Sequence, residues 1–222
     1  MDVQFALSFV EQAVHGSKMG QSKCNEAVMA MEGMSGRKTR HLYNNMCSLV
    51  KPDGSPTRYL EIGCWKGSST AAALYGNHHV RATVIDNWSE FHGPRNSFFD
   101  NMAAILGPKR EMQVIEEDAF CLATPLEHAP YDIYLYDGEH KPETQERAIT
   151  HLWDHMADTC IIMIDDYNWP EVQKGTLAGL EAIKARGGHV VAQAHIRDVK
   201  ENDPEGYWNG CGIFLVARAA AA

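Results

Sequence analysis

The sequence predicts an α/β protein on a doubly wound, mostly parallel sheet of seven strands, with an antiparallel C-terminal hairpin and helices at its N-terminus. Three observations predict it. From residue 58 onward, short apolar runs alternate with stretches of helical periodicity, the pattern of a parallel sheet whose crossovers cover both faces. The strand-like runs are almost continuously apolar, as in CIIMI at 160–164, which marks strands buried on both sides. The last two runs are joined by the polar loop DVKENDPEGYWNG, too short to hold a crossover helix, so they are expected to pair as an antiparallel hairpin at one sheet edge.

Val3, Leu7, Val10 and Val14 recur at helical spacing and give the first helix one apolar face. Residues 24–32 suit a short second helix. Ser35 is expected to cap a third helix running through Val50, with Leu42, Met46 and Leu49 on one side. PDGSP at 52–56 breaks the chain. Strands are then expected at Tyr59–Gly63, Val80–Asp86, Met112–Glu116, Asp132–Asp137, Cys160–Asp165, His189–Ile196 and Cys211–Arg218, with helices at 68–76, 95–106, 142–157 and 170–186. With 222 residues and no repeat or linker, the reading is a single domain over 1–222: a core at 58–218 preceded by accessory helices at 1–50. The RAAAA ending is read as a tail.

Composition removes several function classes. Hydrophobic residues at 45% and charged residues at 22% are globular values and argue against disorder. The net charge of −9 works against nucleic-acid binding, which needs a basic face. The apolar runs fall far short of the roughly 20 residues that span a bilayer, so no membrane partner is expected. The N-terminus lacks the basic region of a signal peptide, and the six scattered cysteines form no CxxC pair. Reduced thiols in a cytoplasmic protein are expected.

In open α/β sheets ligands bind beyond the carboxyl ends of the strands, and here each of the first five strands runs into a carboxylate: EIGCWKG, VID, IEEDAF, LYDGEH and MIDDYN. An Asp at such a position can also cap the following helix. In Glu61-Ile-Gly-Cys-Trp-Lys-Gly67, Gly63 and Gly67 permit a tight strand-to-helix turn. The spacing is not the G-x-G-x-x-G of a pyrophosphate cradle, and Trp65 fills its centre. A ligand without phosphates, with its cationic or amino-acid portion near Glu61, fits better. Asp86 is placed to accept both ribose hydroxyls, and Asp118 with the Ala119 amide to read an adenine edge.

These residues resemble a class I S-adenosylmethionine-dependent methyltransferase over about residues 58–218, and within that class the metal-dependent branch that includes macrocin-like and other sugar O-methyltransferases. Trp65 departs from the commoner glycine-rich loop and is compatible with that branch. The resemblance implies a Rossmann-like fold. It also implies a site for S-adenosylmethionine, or the product S-adenosylhomocysteine, formed by Glu61, Gly63, Trp65, Gly67, Ser68, Asp86, Asp118, Ala119 and Asp137. Asp137-Gly-Glu-His140 and Ile164-Asp165-Asp166-Tyr167 match the motifs that carry a divalent metal site in that branch.

Asp137 and Asp165 are 28 residues apart, one strand–helix–strand unit, so adjacent strands would bring their ends together. With Asp166 they make a three-carboxylate cluster that repels itself without a cation. Such hard oxygen ligands suit Mg²⁺, with Mn²⁺ or Ca²⁺ as alternatives. His140 is the first candidate for the base that deprotonates an acceptor hydroxyl, since an ordinary His pKa near 6.5 suits proton uptake; Glu139 is the second. The expected reaction is methylation of a hydroxyl on a small molecule, a glycoside or other natural product. The alternatives are a metal-independent methyltransferase acting on N or O, and a non-catalytic nucleotide-binding domain of the same fold. The N-terminal helices are expected to cover the acceptor pocket or to join copies into a homo-oligomer.

Overall fold

The computed structural model describes residues 1–108, 110–197 and 200–219. Asp198 and Val199 of the polar loop, and the alanines of the tail from residue 220, lie outside the described residues. Seven helices and seven strands follow in order: α1 (Val3–Lys18), α2 (Glu26–Met29), α3 (Arg37–Met46), β1 (Thr57–Ile62), α4 (Ser68–Leu74), β2 (Val80–Ile85), α5 (Arg95–Leu106), β3 (Met112–Ile115), β4 (Tyr131–Tyr136), α6 (Pro142–Leu152), β5 (Met156–Asp165), α7 (Pro170–Ala182), β6 (Gly188–Ile196) and β7 (Cys211–Arg218).

The strands form one sheet in the order β3-β2-β1-β4-β5-β7-β6. The first five are parallel, and β7 lies antiparallel between β5 and β6. All seven expected strands and the C-terminal hairpin are present. Strand order reverses between β1 and β4, the switch point at which open sheets leave a crevice.

Residues alternate between two cores with the period of a pleated strand. Tyr59, Ile133, Leu135, Ile161, Met163, Ile213 and Leu215 pack against Ala6, Val10 and Ala13 of α1 and Leu42, Tyr43 and Met46 of α3. Leu60, Ile62, Tyr134, Tyr136, Ile162, Ile164, Phe214 and Val216 pack against Ala148, Ile149 and Leu152 of α6 and Val172 and Leu180 of α7. The buried stripe of α1 is Ala6, Val10, Ala13 and Ser17, shifted from the expected valines because the alanines let the helix approach closely; Leu7 and Val14 are half-buried at its flank.

Several boundaries differ from expectation, among them the second helix, shortened to Glu26–Met29, and α7, which ends at Ala182. The third helix is capped by Gly36, not Ser35, and ends at Met46, short of Val50. Its first amides find carbonyls far along the chain: Arg37 N donates to Pro204 O at 2.8 Å and Lys38 N to Gly206 O at 3.0 Å. The helix expected at 142–157 stops at Leu152 and gives way to a 3₁₀ turn at Trp153–His155. Strand β5 then begins at Met156, four residues before the apolar run, pairing Met156 with Tyr131 and Thr159 with Ala217.

Candidate active site

The turn from β1 into α4 is built on two left-handed glycines. Gly63 has φ +82° and Gly67 φ +88°. A Cβ on Gly63 would stand 2.0 Å from the Asp137 carbonyl oxygen, so the ends of β1 and β4 touch there and only glycine fits. Between the glycines the loop wraps the Asp86 carboxylate: Cys64 N and Trp65 N each donate to Oδ2 at 2.9 Å, and Trp88 N donates to Oδ1 at 2.7 Å. A carboxylate offers about four acceptor positions. Asp86 thus clamps the glycine loop through three of these positions.

Glu61 is also turned to internal work. It is fully buried and accepts from Ser69 Oγ at 2.5 Å, Thr70 Oγ1 at 2.9 Å and the Tyr59 hydroxyl at 3.0 Å. Burial pushes its pKa up to about 7 despite these three donors. It ties β1 to α4 beneath the loop.

At the ends of β4 and β5 the expected acids converge. One ligand atom each from Asp137, His140 and Asp166 lies within 4.8 Å of the others. Two of these are the expected metal-binding carboxylates and the third is the expected base; Asp165 adjoins them, close enough for its charge to act on Asp137. Burial, then the charges of Asp165 and Asp166, raise Asp137 well above the usual carboxylate range. Burial, then Asp166, does the same to Asp165. Asp166 takes a left-handed backbone, φ +52°, which an Asp tolerates better than most side chains and which turns its carboxylate toward His140. His140 Nε2 stands 2.9 Å from Asp166 Oδ2, but out of line for a hydrogen bond, and it and Asp165 Oδ1 are buried polar atoms without a partner among the described residues. A self-repelling acid cluster in which Asp165 Oδ1 has no hydrogen-bond partner among the described residues fits a divalent cation in its donor chemistry.

Other expected residues lie apart. Glu139 directs Oε1 to Lys141 Nζ and Oε2 to Thr144 Oγ1 at the start of α6. Asp118 is exposed and closes a turn by accepting from Phe120 N at 2.8 Å, with Ala119 buried beside it. Trp65, φ +45°, lies between Lys66 over its ring and the edge of Phe91. Trp169 meets the His140 ring edge-on at 4.7 Å.

Three neighbours escaped the sequence reading. Asn209 Nδ2 donates to Asp166 Oδ1 at 2.8 Å; only the Asn-Gly pair before β7 hinted at a structured turn there. The Tyr43 hydroxyl of α3 is buried without a hydrogen-bond partner among the described residues, close enough to Asp165 for that charge to add to burial in raising its pKa. Arg40, also on α3, is buried below the glycine loop. No periodicity or motif marks either α3 residue.

The fold, the glycine turn at the switch point and the acids on β4 and β5 together form a Rossmann-like architecture with its candidate site at the carboxyl ends of the strands. The sequence model of a family described as a methyltransferase domain matches residues 60–167, from β1 through the Ile164–Tyr167 motif, so that segment of the chain is similar to a methyltransferase domain. No curated protein matches the sequence. Solved structures of similar fold include the O-methyltransferase TomG from Streptomyces achromogenes, involved in tomaymycin synthesis and in complex with SAM. It is 17% identical, with 98% of this chain and 100% of that one covered at a TM-score of 0.60. Another is the O-methyltransferase from Bacillus cereus in complex with SAH, 15% identical over 94% of this chain and 90% of that one, TM-score 0.59. The SAH-bound methyltransferase PaMTH1 from Podospora anserina is 14% identical over 95% and 87%, TM-score 0.58. Among the described residues no helix is long and apolar enough to cross a membrane.

Proposed function

We propose that this chain is a divalent-cation-assisted O-methyltransferase that methylates a hydroxyl of a small molecule, a glycoside or other natural product, in the cytoplasm. The observation that carries the reading is the convergence of Asp137, His140 and Asp166 at the strand ends next to the glycine turn. Methyl transfer is an in-line displacement, and its main demand is alignment of the acceptor oxygen with the sulfonium methyl of S-adenosylmethionine. The Gly63–Gly67 turn, clamped by Asp86, is the rigid floor for that cofactor. Asp137, Asp165 and Asp166 would hold Mg²⁺ or Mn²⁺, which when bound supplies the positive charge that makes an alcohol acidic enough to react. His140 receives the hydroxyl proton at Nε2, the ring nitrogen that faces the acids, and Trp169 against its ring edge fixes its orientation. The six thiols are free, as suits a reducing compartment.

The position of His140 within the ligand triad favours a second reading, in which it ligates the cation. Calorimetry with Mn²⁺ separates them: His140→Ala keeps cation affinity if the residue is a base and loses it if it is a ligand. Asp165→Ala should abolish cation binding while largely sparing S-adenosylhomocysteine. Full methyl transfer in EDTA would replace this proposal with a metal-independent reaction, and failure of the wild type to bind either cofactor form at millimolar concentration would remove it.

A further inference from the structure

A buried cation without an acid stands beside the glycine turn. Arg40 is only 4% exposed, and among the described residues no carboxylate lies within ion-pair distance of it. Its Nη1 donates to the carbonyls of Val28 and Met29 at 2.8 and 3.0 Å, and its Nε to Ser35 Oγ at 3.1 Å. Its Nη2 has no hydrogen-bond partner among the described residues. Neutral partners do not repay the desolvation of a guanidinium as an anion does, so an unmatched buried Arg is a place prepared for negative charge.

The surroundings define that place. Ser35 Oγ is 3.2 Å from Ser68 Oγ, the first residue of α4 after the glycine turn. Gly33 closes the nook: a Cβ there would come within 2.0 Å of Ser68 Oγ and 3.3 Å of Arg40 Nη2. The segment carrying Gly33 and Ser35 lies over the turn, since Met31 packs with Cys64 and Trp88 and Glu32 pairs with Lys66. That pairing also removes Lys66 as a second cation. One guanidinium flanked by two hydroxyls suits a monoanionic carboxylate rather than a diphosphate.

We propose that Arg40, with Ser35 and Ser68, binds the α-carboxylate of the amino-acid end of S-adenosylmethionine and S-adenosylhomocysteine. The inference rests on the cofactor reading above and adds a binding residue from α3, outside the family-matched segment.

Calorimetry with S-adenosylhomocysteine and its decarboxylated analogue, on wild type, Arg40→Gln and Arg40→Lys, tests it. The wild type should prefer the carboxylate form by about tenfold to a hundredfold, the range for one charged hydrogen-bonded partner. Arg40→Gln should lose that preference by weakening only S-adenosylhomocysteine, and Arg40→Lys should retain part of it. Equal loss of both ligands in Arg40→Gln, or no loss of either, overturns the assignment. If Arg40→Gln does not fold, equal wild-type affinity for the two ligands overturns it. A wild type that binds neither ligand overturns the cofactor reading and this inference with it, whereas intact S-adenosylhomocysteine binding in Arg40→Gln removes the Arg40 role alone.

Discussion

The carboxyl of Glu61 is predicted to give the protein a pH-dependent stability that a single substitution removes. It lies inside the protein under the glycine turn, with the hydroxyls of Tyr59, Ser69 and Thr70 as its hydrogen-bond partners among the described residues. Burial raises its pKa from an ordinary 4.5 to about 7. A carboxyl raised in the folded state contributes stability that is fully present below its unfolded pKa and is lost as pH rises through the folded value. Here that window runs from 4.5 to about 7, and at about 1.4 kcal/mol per pH unit the loss is about 3 kcal/mol. Glu61→Gln cannot ionise, yet it keeps the shape and one carbonyl acceptor, and the Ser69 and Thr70 hydroxyls can rotate to accept from its amide. Urea denaturation followed by tryptophan fluorescence, run from about pH 4.5 to about pH 8, gives the stability difference between wild type and variant. That difference should shift toward the variant by about 3 kcal/mol across the window and stay flat above it. Asp137 and Asp165, whose pKa values are raised too, act with the same sign in both proteins and largely cancel in the difference. A difference that is equal at about pH 5 and about pH 8 would show that Glu61 does not titrate with folding and would refute the reasoning.

Gly63→Ala should destabilise by about 3 kcal/mol or more, from a left-handed backbone costing about 1–2 kcal/mol and a Cβ overlapping the Asp137 carbonyl; a melting temperature lowered by about 6–12 °C checks it. Asn209→Ala removes the donor that fixes Asp166 Oδ1 and should weaken Mn²⁺ binding about tenfold, with S-adenosylhomocysteine affinity unchanged in the same calorimeter. Tyr43→Phe deletes a buried hydroxyl that has no hydrogen-bond partner among the described residues and should leave the melting temperature unchanged or raise it. A marked fall there would mean that the hydroxyl is bound to Asp165 after all.

Legibility followed the range of the forces involved. The strands could be read because continuous apolar runs are a local consequence of burial on both faces, and the acids because a strand end is also a local feature. The start of α3 could not, since its amides are satisfied by Pro204 and Gly206, some 170 residues away, and Ser35 instead serves Arg40 and Ser68. The first turn of β5 was hidden because Ala157 and Asp158 are not buried and interrupt the apolar run, although the backbone pairs with β4 and β7 there. At the site, Asp137, Asp165, Asp166 and His140 were legible as motif residues. What each carboxylate touches was not: Asp86 and Glu61 face their own loop, and Asn209 and Tyr43 reach the acids from opposite ends of the chain.

That last point bears on how the site is held together. The family-matched segment at 60–167 contributes the turn and the acids, and further groups that restrain them come from outside it. The loop before β7 connects them all. Asn209 holds Asp166, the Tyr207 hydroxyl meets Ser17 Oγ at 2.8 Å across to α1, and the Pro204 and Gly206 carbonyls seat the start of α3. Helix α3 in turn carries Tyr43 to Asp165 and Arg40 to the glycine turn. Displacing this loop would disturb the cation end and the cofactor end of the site at once, through one helix. The N-terminal helices therefore act on the chemistry as a supporting wall of the site, and substitutions in α3 should change cofactor and cation binding even though the helix bears no motif.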